Sequence, residues 1–275
     1  MGVESIVVAG RDAWLKAYDQ GDNRRLALGL LDAVARRLDI DALRPPPHPG
    51  GGAAKRIEAR RIRELAALGV RVPRVLGEGE STLLLSDIGA TLAARLREAA
   101  DAQTVDALTT RVIDAIADAH ARGAYFGQLV PRNITLDDDG RVGFIDFEED
   151  PLDVMSLPQA QARDWLLFAF GMAKYYDGRT DVLAGLLSAA LQRAPDVAAH
   201  AGRVGRLGRL ARILRRLGRS ARQVAHSILV VRAATVLPML LVAALLSAAA
   251  GTLAACDGTQ PLIKRAKQQP GPFPV

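Results

Sequence analysis

The stretch Asn133-Ile-Thr-Leu-Asp-Asp-Asp-Gly-Arg-Val-Gly-Phe-Ile-Asp146 limits the fold more than any other part of the chain. Two short β-prone runs, Asn133–Leu136 and Arg141–Phe147, flank Asp137-Asp-Asp-Gly140, and Asp-Gly is a strong hairpin signal. Pairing of the runs brings Asn133 and Asp146 to one rim. An amide oxygen and a carboxylate converging there can hold a hard cation such as Mg²⁺, which takes a few oxygen ligands together with substrate phosphates. A calcium loop is the competing reading, since Asp137, Asp139 and Gly140 fit part of its pattern. Thr135 at the first ligand position and the strand-like flanks count against it.

Around this hairpin the patterning predicts an α+β chain. Ser5–Val8 and Ala13–Tyr18 read as strands joined by a turn at Gly10-Arg-Asp12, and residues 23–39 carry apolar positions at helical spacing. Arg44-Pro-Pro-Pro-His-Pro-Gly-Gly-Gly continues neither element, so residues 44–53 are expected to form an exposed loop. Lys55–Leu68 reads as a charged amphipathic helix, and Val70–Leu76 and Ser81–Ser86 as strands. Residues 90–122, 159–176 and 179–193 follow as helices. Strands with one helix, then mostly helices around a hairpin, predict two lobes, 1–89 and 90–200, with an insertion at about 20–53. Glu148, Glu149 and Asp150 read as a solvated acidic rim, with a substitute-base role for Glu148 as the sharper alternative. His120 reads as a structural helix residue, and His48, His200 and His226 have no metal-ligand spacing.

The segment Tyr125-Phe-Gly-Gln-Leu-Val-Pro-Arg-Asn133 followed by Ile145-Asp-Phe147 resembles the catalytic loop and metal-binding hairpin of the protein-kinase-like superfamily. It is most similar to the bacterial lipopolysaccharide (Kdo) kinase and aminoglycoside phosphotransferase branches, and the likeness covers roughly residues 5–175. The resemblance implies a bilobal kinase-like fold, with a small β-rich N-lobe and a helical C-lobe, that binds ATP and Mg²⁺. On that alignment Asn133 and Asp146 match the metal ligands, and Asp164 matches an acid that braces the catalytic loop. Lys16 matches the strand lysine that contacts the α/β-phosphates, and Glu58 its ion-pair partner. Lys55 is a rival phosphate lysine, on the same predicted helix as Glu58. Asp87 and Ile88 match the hinge whose backbone meets adenine. No Gly-x-Gly-x-x-Gly loop is present, and only Gly10 is available to cover phosphates.

Gln128 stands where the family has its catalytic Asp. A carboxylate there accepts or orients the acceptor hydroxyl proton. A glutamine carbonyl can orient a nucleophile but cannot take the proton, and general-base catalysis is worth about 10²–10⁴-fold. Phosphoryl transfer depends mostly on positioning and charge, so three readings stay open: a weakened or altered phosphotransferase, an inactive pseudokinase scaffold, or an ATPase in which Gln128 orients water. Nucleotidyl transfer with ATP bound in reverse is a further idea. Phe126 and Val130 replace two histidines of the family pattern. Few residues separate Asp146 from Asp164, which argues against peptide docking and activation by loop phosphorylation.

The formal net charge is +6, but nine arginines and no acid lie between Ala201 and Arg232, which leaves the remainder of the chain at −3. The basicity is therefore local. Aromatic residues are only 4%, which argues against a stacking platform for nucleic acid. A single cysteine, Cys256, excludes a disulfide framework. Residues 233–256 carry no charge and as a helix would span about 36 Å, enough for a hydrocarbon core of about 30 Å. We expect 201–232 to be an amphipathic segment on anionic lipid, 233–256 a hydrophobic helical membrane segment, and 257–275 a tail. The kinase-like domain would then face the cytoplasm at the inner membrane. An envelope lipid or saccharide as acceptor, or a protein partner, follows from the resemblance, and nucleic acid is not expected.

Overall fold

The computed structural model describes residues 2–18, 29, 32–33, 35–47, 49–214, 216, 218 and 222–236. They belong to one compact unit, Met1–Pro238. The architecture is α+β with two small antiparallel sheets. β1 (Gly2–Val8) and β2 (Arg11–Ala17) form a hairpin in which Val8 faces Arg11, so Ala9 and Gly10 make a two-residue turn with both φ angles positive. β2 then pairs with β4 (Thr82–Ser86), and β4 with β3 (Val75–Glu78), in the order β1-β2-β4-β3. Trp14 and Lys16 lie two residues apart in β2 and share one face of this sheet, and Tyr18 follows the strand's end with its N–H donating to Ser81 O at 2.9 Å.

Helix α1 (Gly51–Ala67) packs against β4 and buries Ile62 and Leu65. It begins inside the stretch expected to be an exposed loop. That stretch is docked rather than solvated. Pro46 is buried, Arg44 donates to Val154 O at 2.6 Å, and Arg163 donates to Arg44 O at 3.3 Å. The expectation of an exposed loop is therefore corrected: composition shows that Pro and Gly break regular elements, but not what the broken chain lies against. The expected strand at 70–76 shrinks to Val75 onward. Pro73 has no N–H to give a ladder, and Val70 N instead returns to Leu65 O at 3.0 Å to close α1.

β5 (Ala90–Thr91), β6 (Ile134–Leu136) and β7 (Val142–Phe144) form the second sheet. Its register pairs Ile134 with Phe144 and Leu136 with Val142. Gly89 enters this sheet at φ +111°, where a Cβ would lie 2.6 Å from Leu136 O, so no other residue fits without moving β6. The helices are α2 (Leu92–Glu98), α3 (Ala102–Ala121), α4 (Leu157–Met172), α5 (Thr180–Leu191), α6 (Pro195–Gly202) and α7 (Gly208–Leu214). Thr91 and Asp101 cap α2 and α3 by accepting from Ala94 N and Thr104 N, and Ser156 and Gln159 form a capping box on α4.

Residues 222–236 are also helical. The arginine-rich stretch is not a segment apart: Ala201, Val204, Ala211, Ile228 and Val231 belong to the same apolar core as Leu65, Leu83, Ile116, Phe144 and Trp165. Of the predicted membrane segment only 233–236 are described, and 237–256 and the tail 257–275 lie outside the described residues. Among the described residues no helix is long and apolar enough to cross a membrane. Most of the helical pattern at 23–39 also lies outside them.

Candidate functional site

The second hairpin turns at Asp137–Gly140, where Gly140 N donates to Asp137 O at 3.0 Å. At its open end Ile145 N donates to Asn133 O at 2.9 Å, which fixes Asn133 beside the strand that leads into Asp146. The Asn133 amide donates to Asp146 Oδ2 and to the Gln128 carbonyl, each at 3.0 Å. Asp146 has φ +73°, a left-handed backbone in a residue with a Cβ. Such a conformation persists where the surroundings over-determine it, and it is commonest at functional positions.

Lys16 reaches this point from the other sheet. Its ammonium lies 2.6 Å from Glu58 Oε2 on α1, 2.7 Å from Asp146 Oδ1 and 2.7 Å from Glu148 Oε1. Tyr18, one strand period beyond Lys16, donates to the same Glu58 oxygen at 2.5 Å. Lys55 is directed elsewhere and donates to Gly79 O at 2.5 Å. Burial alone would lower the Lys16 pKa, but Glu58, Asp146 and Glu148 together raise it above the ordinary lysine value. Burial pushes the Glu58 carboxyl above its ordinary range; Lys16 and the Tyr18 hydroxyl pull it back, while Asp146 adds to the rise. Burial, and then Glu58, push the Tyr18 phenol up, so it stays protonated as a donor.

Three carboxylates against one ammonium leave a surplus of negative charge in a poorly solvated place. Glu58, Asp146 and Glu148 each offer one oxygen within 4.8 Å of the others. Among the described residues Glu148 Oε1 is buried with the Lys16 charge contact and no hydrogen bond of its own. Asn133 spends its amide nitrogen on Gln128 and Asp146, which leaves the amide oxygen as its donor atom toward a cation. An all-oxygen, anionic donor set suits Mg²⁺. The exposed part of the cluster is Asp146, whose side chain is 21% accessible against 6% for Lys16 and 1% for Glu58.

The loop before the hairpin hangs on Asp164. This fully buried carboxylate on α4 accepts Phe126 N at 2.8 Å and Gly127 N at 2.9 Å, and lies 3.1 Å from His120 Nε2. Phe126 stacks on Phe144 of β7 with ring centroids 4.0 Å apart, so apolar packing holds the loop. Gln128 is half-buried; its carbonyl accepts Val130 N at 2.9 Å, and its side chain makes no hydrogen bond among the described residues.

Asp87 and Ile88 follow β4. Asp87 Oδ1 accepts the Trp14 indole N–H at 2.9 Å, Asp87 N donates to Asp12 O at 3.3 Å, and Ile88 O accepts Arg71 at 2.9 Å. These two backbone groups are thus already used within the chain. Trp14 stays 40% exposed on the strand face that carries Lys16.

The expected acidic rim is corrected. Glu148 and Asp150 are buried, at 7% and 4% exposure, and each is met by cations from distant segments. Asp150 accepts Arg60 at 2.5 Å and the Tyr125 hydroxyl at 2.7 Å, and it caps the short helical turn at Pro151 through Leu152 N. The Arg61 guanidinium lies 3.6 Å from the Tyr125 ring centroid and donates to Tyr125 O at 2.6 Å. Helix α1 therefore carries the carboxylate that meets Lys16, Arg61 that holds the loop before Gln128 at Tyr125, and Arg60 that reaches Tyr125 through Asp150. Sequence reasoning missed Tyr18, Tyr125, Arg60 and Arg61. The alternation of Lys16 and Tyr18 was a usable signal; nothing local marked the other three.

No family model matches this chain, and no curated protein matches it.

Proposed function

We propose that the chain binds a magnesium nucleotide at the Lys16–Glu58–Asp146–Asn133 constellation as a membrane-associated, kinase-like phosphotransferase with altered chemistry. The reading is supported above all by one observation: Lys16 bonds Glu58 and Asp146 at once, across sequence separations of 42 and 130 residues. The left-handed Asp146, the Asn133–Asp146 bond and the Asp164 anchor support the same kinase-like arrangement of two lobes. Asn133, Asp146 and the extra carboxylate Glu148 would hold Mg²⁺, which when bound neutralises phosphate oxygens. Lys16, freed from part of its carboxylate shell, would contact the phosphates, with Glu58 and Tyr18 keeping it aimed. Asp164 fixes the backbone of the loop that carries Gln128. Gln128 can orient an acceptor hydroxyl or a water through its carbonyl and cannot remove a proton. The acceptor class in this proposal is an envelope lipid or saccharide at the cytoplasmic face of the inner membrane.

Titration of ATP with and without Mg²⁺, followed by turnover, tests this. We expect Mg²⁺-dependent binding that Lys16→Met and Asp146→Asn abolish. Gain of activity in Gln128→Asp marks a weakened kinase. ATP hydrolysis by the wild type that Gln128→Ala loses marks the ATPase form. Nucleotide binding without turnover in any variant leaves the pseudokinase form. Absence of nucleotide binding refutes the proposal.

A further inference from the structure

A second constellation lies at the other end of the chain and owes nothing to the nucleotide reading. Gly202, Gly205 and Gly208 recur every third residue along α6, the following 3₁₀ turn and the start of α7. They face the helix at 222–236. A Cβ at Gly202 would touch Thr235 at 3.4 Å, one at Gly205 would touch Arg232 Cγ at 3.6 Å, and one at Gly208 would stand 2.8 Å from Arg232 Nη1. This strip without side chains lets Arg232 lie along the backbone with its guanidinium over Gly208. The result is an open groove of about 550 Å³ lined by Arg206, Arg209, Arg212 and Arg232 together with Thr235 and Val236.

Charge in this groove is unbalanced. Residues 201–232 contain no acid. Among the described residues Asp39 is the carboxylate that reaches the region, and it is taken up by Arg203 at 3.3 Å and Arg206 at 2.9 Å. Arg209, Arg212 and Arg232 are exposed and make no side-chain hydrogen bond or ion pair among the described residues. Like charges gathered on one concave surface repel unless an anion sits between them. Guanidinium groups hold phosphate oxygens through paired N–H donors better than any other side chain. Leu210, Ile213 and Val236 add apolar groups at 46%, 61% and 41% exposure on the same helices.

We propose that this groove is a binding site for clustered phosphate groups, with Arg209, Arg212 and Arg232 as the principal donors. Either lipid head groups or a soluble polyphosphate could present that chemistry, and the neighbouring exposed Leu210, Ile213 and Val236 favour lipid.

The full chain is tested by sedimentation with neutral phosphatidylcholine vesicles, with the same vesicles carrying anionic phospholipid, and by titration with inorganic pyrophosphate. We expect binding to anionic vesicles and none to neutral ones. Arg209→Gln/Arg212→Gln/Arg232→Gln should weaken it by about tenfold for each arginine removed. Arg56→Gln/Arg97→Gln/Arg111→Gln removes equal charge from exposed helix positions elsewhere and should leave it unchanged. Gly208→Ala preserves every charge, displaces the Arg232 guanidinium and should weaken binding at an unchanged melting temperature. Pyrophosphate binding that depends on the same arginines, without vesicle binding, upholds the site and assigns a soluble ligand. Equal losses in both triple variants, tighter binding of duplex DNA than of either phosphate probe, or no binding to vesicles and pyrophosphate alike would overturn the proposal.

Discussion

Replacing Lys16 by Met keeps most of the side-chain volume and removes the cation that meets three carboxylates at 2.6, 2.7 and 2.7 Å. Glu58 and Glu148 are then left at 1% and 9% side-chain exposure with no countercharge beside them among the described residues. Breaking a buried ion pair by removing one partner costs about 3–5 kcal/mol, a large share of the roughly 5–15 kcal/mol that holds a domain of ordinary stability. The deficit should depend on pH in a definite direction. Glu58 already sits above its ordinary value of 4.5, and loss of Lys16 raises it further. The folded variant thus binds a proton that the unfolded chain releases above 4.5, so its stability falls as pH rises through that window up to the folded value. The gap to wild type should widen as pH rises above 4.5 and narrow as it falls back toward that value. Millimolar Mg²⁺ should close part of the gap, because a cation in the cluster replaces the missing ammonium. Urea denaturation followed by tryptophan fluorescence across a pH series above 4.5, with and without Mg²⁺, measures all three effects. A deficit under about 1 kcal/mol, or one that ignores pH, would mean that the carboxylates are solvated, and the electrostatic account of the site would fail.

Asp164→Ala leaves the buried Phe126 and Gly127 N–H groups without an acceptor, and we expect a loss of roughly 2–6 kcal/mol with faster hydrogen exchange at those two amides; protected amides in the folded variant would refute the brace. Trp14 is 40% exposed beside Asp87 while Trp165 is 2% exposed, so nucleotide should change the emission of the wild type and not of Trp14→Phe. An identical response in both proteins would place the base elsewhere. Asp150 is held below its ordinary 3.8 although burial opposes this, because Arg60, Tyr125 and Leu152 N favour the carboxylate. Its contribution is full above 3.8 and is lost as pH falls through the lower folded value. Asp150→Asn should therefore be less stable than wild type at neutral pH and approach it in acid, read from melting temperatures across that range.

Much of the local structure was legible without coordinates. Asp139-Gly140 between two β-prone runs dictates a hairpin, and hairpin register then brings Asn133 and Asp146 to one end whatever surrounds them. The apolar spacing along 90–122 and 179–193 suffices for α2, α3 and α5, because a helical period of 3.6 is written in neighbouring residues. Pairing between remote charges is not written that way. Lys16 and Lys55 are both lysines near Glu58 in pattern, and only the arrival of β2 beside α1 and the hairpin sends Lys16 to the carboxylates and Lys55 to Gly79 O. Glu148 and Asp150 read as solvated because a buried acid is costly alone. They are buried because Lys16 and Arg60 come from far along the chain to offset that cost. The arginine run likewise shows its charge in sequence and its shape only in three dimensions, where glycines on one helical strip let Arg232 lie across them. Periodicity determines elements, and the countercharge brought by packing determines which polar groups become a site.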